Sequence, residues 1–120
     1  MKIDYLEFPS KNLEKTKTFF SDVFGWTFED YGLEYTVFWG AGINGGFYRT
    51  ELSCTTATGS VLPVLYSDNI TETEKQIVAA GGKIIKPLFA FPGGIRFHFT
   101  DPNGNEYAIW SDAKLPTGIC

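Results

Sequence analysis

The chain has little histidine, methionine or cysteine: one, one and two residues in 120. A single histidine leaves little material for the imidazole-rich ligand sets that many transition metals favour. The two cysteines, Cys54 in a polar mid-chain stretch and Cys120 at the last position, do not make a disulfide scaffold and fit a reducing, cytoplasmic setting. Neither has a neighbour that would mark a thiolate nucleophile. No run of 18 apolar residues occurs, so no membrane span is expected. The opening MKIDYLEF lacks the apolar stretch of a signal peptide. Positive charge is also short, with 10 Lys and Arg against 14 Asp and Glu and a net charge of −4. That balance argues against nucleic acid and anionic membranes as partners.

What the chain has in surplus is aromatic rings: eleven Phe, six Tyr and three Trp, 17% of the residues. Many of them must form the core, because large rings are an effective way to bury area in a small sheet protein. The excess allows a pocket lined by rings. The length suits one domain, or two small halves that share a core.

The sequence repeats itself at an offset of 57. Residues 10–28 read SKNLEKTKTFFSDVFGWTF, and residues 67–85 read SDNITETEKQIVAAGGKII. Ser10 matches Ser67, Asn12 matches Asn69, Thr16 matches Thr73, and Gly25 matches Gly82. Each copy follows an apolar run (IDYLEF, VLPVLY) and precedes a stretch rich in β formers. The shared order of strand, cap, helix, glycine and strand implies a duplicated supersecondary unit.

Patterning fills in both halves. Residues 2–9 predict a strand, and Ser10 or Asn12 caps a helix built on Leu13, Thr16, Phe19, Phe20, Val23 and Phe24 that Gly25 ends. Strands follow at 26–30 and 34–39 around Gly32, then a glycine-rich turn at 40–46 and a strand at 46–50. The turn, GAGINGG, lacks the Lys-Ser/Thr of a phosphate loop and opens no helix. Residues 51–60 are small and polar and read as a linker. The second half gives a strand at 61–67, interrupted by Pro63, a helix at 70–80, a strand at 83–86 and a loop at 89–94. A hairpin at 95–111 turns on Asp101-Pro102-Asn103-Gly104, and a polar tail covers 112–120. The first unit thus spans 1–50 and the second 61–111.

Period-two alternation assigns faces. Leu6 and Phe8 pack under the first helix, so Tyr5 and Glu7 point the other way. Ile95, Phe97 and Phe99 form one apolar face, with Arg96, His98 and Thr100 opposite. In the fifth strand Leu62, Val64 and Tyr66 share one face and Val61, Pro63 and Leu65 the other, and the pattern leaves open which is inside. Two sheets that curl together would bring Tyr5, Glu7, Arg96 and His98 into one concave pocket of the kind that holds small molecules. Glu7 and Arg96 have two readings: an ion pair fixing the two halves, or a base and a holder of an anionic group. His98 is a hydrogen-bonded wall residue, an acid or base, or, with Glu7 and water, a metal ligand. Trp26, Trp39, Tyr66, Tyr107 and Trp110 are core rings by default, with Tyr66 and Trp39 the candidates for stacking on a flat ligand.

The phrases FPSKNLEKTKTFFSDVFGW, SDNITETEKQIVAAGGKIIKP and DPNGNEYAIW resemble the glyoxalase, bleomycin-resistance and extradiol dioxygenase group, the vicinal oxygen chelate superfamily. The resemblance implies an α+β fold in which two βαβββ modules form a curved eight-stranded mixed sheet, usually paired as a homodimer. Metal-dependent members hold a divalent ion with His and Glu side chains. Transfer of those positions puts Tyr5, Leu62 and Ala108 where the ligands would be. Leucine and alanine have no donor, so the expectation is no metal and no cofactor. The expected function is binding of a small, partly aromatic molecule at Tyr5, Trp39, Leu62, Tyr66, Arg96, His98 and Ala108. The alternatives are a glyoxalase-like lyase or isomerase, with Glu7 and His98 as its catalytic acid and base, and a structural dimer without a ligand.

Overall fold

A computed structural model describes residues 1–114. Two βαβββ units follow one another. The first contains β1 (Tyr5–Ser10), α1 (Leu13–Phe24), β2 (Thr27–Asp30), β3 (Tyr35–Trp39) and β4 (Asn44–Arg49). The second contains β5 (Val64–Tyr66), α2 (Ile70–Ala79), β6 (Lys83–Phe91), β7 (Gly94–Thr100) and β8 (Glu106–Ser111). No helix among the described residues is long and apolar enough to cross a membrane.

The repeated residues build the same device twice. The Asn12 side chain caps α1 by accepting from the Lys15 amide at 3.1 Å, and Asn69 caps α2 through the Glu72 amide at 3.4 Å. Ser10 and Thr16 join their hydroxyls at 2.8 Å, as Ser67 and Thr73 do at 2.7 Å. Each pair ties the end of a strand to the first turn of the helix that follows. The repeated glycines differ in purpose. Gly25 ends α1 at a positive φ of 72°. In the second unit Gly81 takes the positive φ, whereas a Cβ on Gly82 would lie 2.6 Å from Ile77 Cγ2.

The eight expected strands form two hydrogen-bonded sheets of four, ordered β1-β4-β3-β2 and β5-β8-β7-β6. In each, the strand before the helix runs parallel to the last strand of its unit. The helix-side faces merge into one core. Phe20 stacks on Trp26 at 4.7 Å, and Tyr107 of the second unit reaches Phe8 at 6.1 Å and Phe20 at 5.4 Å. Ile95, Phe97 and Phe99 are buried there, as their alternation predicts.

The hairpin turn after β7 joins the halves with polar groups. Asp101 accepts from the amides of Asn103 (2.9 Å) and Asn105 (3.0 Å) and from the Tyr107 hydroxyl (2.9 Å). Asn103 donates to Thr16 Oγ1 at 2.7 Å, and Asn105 to the Pro9 carbonyl at 2.6 Å. The Asn105 oxygen accepts from the Cys54 amide at 2.9 Å.

Three sequence expectations are corrected. β6 does not stop at residue 86 but continues to Phe91, so the loop expected at 89–94 shrinks to the turn at Pro92-Gly93. Register shifts between Ile84 and Lys86 and between Lys86 and Phe89 absorb Pro87, which cannot donate to a ladder. β5 keeps only Val64–Tyr66 of the predicted 61–67. The linker is not idle coil: it holds a short 3-10 turn, Thr56–Thr58, whose first residue bonds to β8. Of the expected tail, residues 115–120 lie outside the described residues.

Candidate functional site

The faces turned away from the helices carry two separate polar groups. On the first sheet, Tyr5 and Glu7 of β1 point away from the core. Tyr35 of β3 crosses over Gly46 to reach them, with its hydroxyl 2.9 Å from Glu7 Oε2 and 2.5 Å from the Tyr5 hydroxyl. The crossing needs a glycine, because a Cβ at position 46 would sit 2.3 Å from the Tyr35 oxygen. Burial, then the bonds to Tyr5 and Glu7, push the Tyr35 phenol well above its ordinary pKa. Trp39 shares this face at the end of β3 and is exposed.

On the second sheet, a hydrogen-bonded series runs from the linker to Arg96. Glu106 Oε1 accepts from the amide (2.7 Å) and hydroxyl (2.9 Å) of Thr56. Glu106 Oε2 pairs with His98 Nδ1 at 2.9 Å, and His98 Nε2 with Arg96 Nη2 at 2.9 Å. An arginine can only donate, so Nε2 accepts and the imidazole is the neutral Nδ1–H tautomer, donating to Glu106. Burial pushes the Glu106 carboxyl up, but the bonds from His98 and Thr56 together outweigh it and hold the group below its ordinary value. The Arg96 guanidinium lies 5.8 Å from the ring centroids of both Phe89 and Phe91. A cavity of about 360 Å³ opens beside it, lined by Val64, Phe91, Gly93, Arg96 and Trp110. Tyr66 packs edge-on against Trp110 at 5.0 Å and donates its hydroxyl to Asp112 at 2.9 Å.

The single chain does not join Glu7 to Arg96. Among the described residues neither takes part in an ion pair. Each finds a partner in its own sheet instead, Tyr35 for Glu7 and His98 for Arg96. Leu62 lies ahead of β5, and Val64 takes the inner position opposite Ala108. This settles the open face assignment: Leu65 packs on the core, and Val64 and Tyr66 lie on the face turned away from the helices, where they are exposed. Ala108 is fully buried between Val64 and His98. Trp26 and Tyr107 are core residues, at 8% and 1% exposure. Glu106, Thr56, Tyr35, Phe89 and Phe91 were not singled out from the sequence. Strand alternation could have found Glu106, which shares a face with Ala108.

The residues at the positions that the resemblance assigns to metal ligands do not fit a divalent ion. Tyr5 is tied to Tyr35, while Leu62, Val64 and Ala108 have no side-chain donor. Among the described residues no three His, Cys, Asp or Glu side chains converge.

Two βαβββ units, each with polar side chains on the sheet face turned away from its helix, define a duplicated α+β class. The chain belongs to the Glyoxalase/Bleomycin resistance protein/Dioxygenase superfamily, whose family model matches residues 2–109. No curated protein matches it. A glyoxalase-related enzyme from Fulvimarina pelagi has a similar fold, with a TM-score of 0.75 and 21% identity over 92% of this chain and 88% of its own. The fosfomycin resistance protein FosX of Listeria monocytogenes is similar at TM-score 0.74, with 19% identity, covering 92% of this chain and 93% of its own. TioX from Micromonospora sp. ML1 is similar at TM-score 0.68, with 17% identity, covering 93% and 99%.

Proposed function

We propose that this chain is a metal-free binding member of the superfamily that holds a small, partly aromatic molecule on the inner face of its second sheet. The observation that carries the reading is the open groove of about 360 Å³ beside Arg96, whose wall combines a guanidinium with the rings of Phe91 and Trp110. Phe91 and Trp110 supply ring surface, 6.3 Å apart and nearly perpendicular. Tyr66, exposed at the rim, extends it. The donor set described above supports binding without a metal.

The proposed working unit is a cytoplasmic homodimer. Its support is the apolar surface that one copy leaves open on the inner faces: Tyr5, Trp39, Val64 and Tyr66 are 40%, 42%, 45% and 52% exposed. A lyase or isomerase using His98 and Glu7 finds less support. Both ring nitrogens of His98 are engaged, and Glu7 is not joined to it. The test is a thermal-shift screen of the purified chain with bleomycin-type and simple aromatic compounds, beside a methylglyoxal–glutathione assay with and without Ni²⁺ or Zn²⁺. Stabilisation by aromatic compounds without turnover is the expected result. Turnover with no stabilisation by any compound removes the proposal.

A further inference from the structure

We propose that the ligand of the second sheet is an aromatic carboxylate, and that Arg96 receives its carboxylate group. The inference rests on the aromatic-binding reading above and adds the charge and shape of the ligand. It starts from an imbalance in charge. Arg96 is half-buried between two phenyl rings, yet among the described residues no carboxylate stands within ion-pair distance of it. Its polar partner is a neutral imidazole nitrogen. Its Nε is buried and has no hydrogen-bond partner among the described residues. A charge drawn out of water is best compensated by a counter-charge in good geometry, and the described residues supply none within ion-pair distance.

Two acidic groups of the second sheet are already committed. Glu106 stands behind His98 with both oxygens occupied, by His98 and by Thr56. Asp112, just past the end of β8, accepts from Tyr66. The series from Thr56 through Glu106 to His98 fixes one end of the guanidinium, and the guanidinium forms part of the cavity wall with Val64, Phe91, Gly93 and Trp110. A planar fork matches a planar carboxylate with two parallel bonds. The neighbouring rings suit a flat hydrocarbon body attached to that group. The neutral tautomer of His98 matters here. It orients Arg96 without cancelling its charge, which a carboxylate in the same place would do.

The experiment is calorimetric titration of the full chain with benzoate, benzamide and acetate, in the wild type and in Arg96→Lys and Arg96→Gln. Benzoate is expected to bind roughly tenfold or more tightly than benzamide, the difference that one charge-assisted bond makes. Acetate is expected to bind more weakly than benzoate. Arg96→Gln removes the preference for benzoate over benzamide, and Arg96→Lys keeps part of it. Equal binding of benzoate and benzamide by the wild type overturns the proposal and leaves the aromatic-binding reading standing. Failure of both to bind overturns both. The wild type alone provides a readout if Arg96→Gln does not fold: the Arg96 Nε–H resonance is expected to move on saturation with benzoate and not with benzamide, and an unmoved resonance at saturation counts against the proposal.

Discussion

Replacing Asp101 with Asn should make the chain less sensitive to rising pH. Asp101 sits in the hairpin turn with 3% of its surface exposed. Burial pushes its carboxyl from 3.8 to about 6, against the hydrogen bonds from Tyr107, Asn105, Asn103 and Gly104 that favour the ionised form. That displacement corresponds to about 3 kcal/mol. A carboxyl raised in the folded state favours folding when protonated. Its contribution is complete below pH 3.8 and is lost as the pH rises through about 6. Asn is nearly isosteric: its oxygen can accept the amides of Asn103 and Asn105, and its NH₂ can donate to a rotated Tyr107 hydroxyl. Urea melts of both proteins between about pH 4 and 7 measure the effect. The stability of Asp101→Asn minus that of the wild type should climb by about 2.4 kcal/mol across that window. Contributions from Glu106 and the surface carboxylates cancel in the difference. A flat difference would refute the reasoning, because those hydrogen bonds would then offset burial and leave the Asp101 carboxyl unraised.

Other substitutions test the packing that carries the site. Asn105→Ala removes a fully buried side chain that bonds to Pro9 and to Cys54 in opposite directions, and should lower the unfolding free energy by about 3 kcal/mol in the same melts. Gly45→Ala should be worse tolerated than Gly46→Ala. The new methyl at 45 meets the Leu6 backbone carbonyl at 2.3 Å, whereas at 46 it meets the end of the Tyr35 side chain, which can rotate away. Expression and thermal melting of the pair check the order. Glu106→Gln should flatten the acid side of the stability profile. Glu106 is held below its ordinary value, so its contribution is present above the unfolded value of 4.5 and is lost as the pH falls through the folded one. An unchanged acid limb in that variant would show that the pair with His98 contributes nothing.

Local signals were readable in the sequence and distant ones were not. Asn12, Asn69, Gly25 and the Asp-Pro-Asn-Gly turn declare themselves because their partners lie within a few residues. Alternation sorted Ile95, Phe97 and Phe99 from Arg96 and His98, since a strand has only two faces. Alternation does not measure distance across a fold, so Glu7 and Arg96 were brought together in the reading while the structure gives each a partner in its own sheet. The length of β6 was hidden by Pro87, which usually argues against a strand interior and is accommodated here beside a bulge. Thr56 had no signal at all. A small polar residue in a polar stretch becomes a ligand of Glu106, 50 positions away, only once the linker folds back along β8.

The two halves share more than their capping residues. On each inner face a small residue on the last strand of the unit makes room for a polar ring from the neighbouring strand. Gly46 admits Tyr35, and Ala108 lies opposite His98. Each ring then takes a carboxylate, Glu7 in the first half and Glu106 in the second. The plan is common and the chemistry is not: a phenol donates to Glu7, whereas an imidazole passes its second nitrogen to Arg96. The family resemblance puts Ala108 at or near the position from which metal-dependent members offer a glutamate. A longer side chain there would have to displace His98 or Val64, because Ala108 has no exposed surface. The nearby acid, Glu106, is turned to the imidazole instead. On the proposed reading, the positive charge that meets a ligand on this face is therefore a guanidinium of the chain itself, held in place by a carboxylate that it never touches.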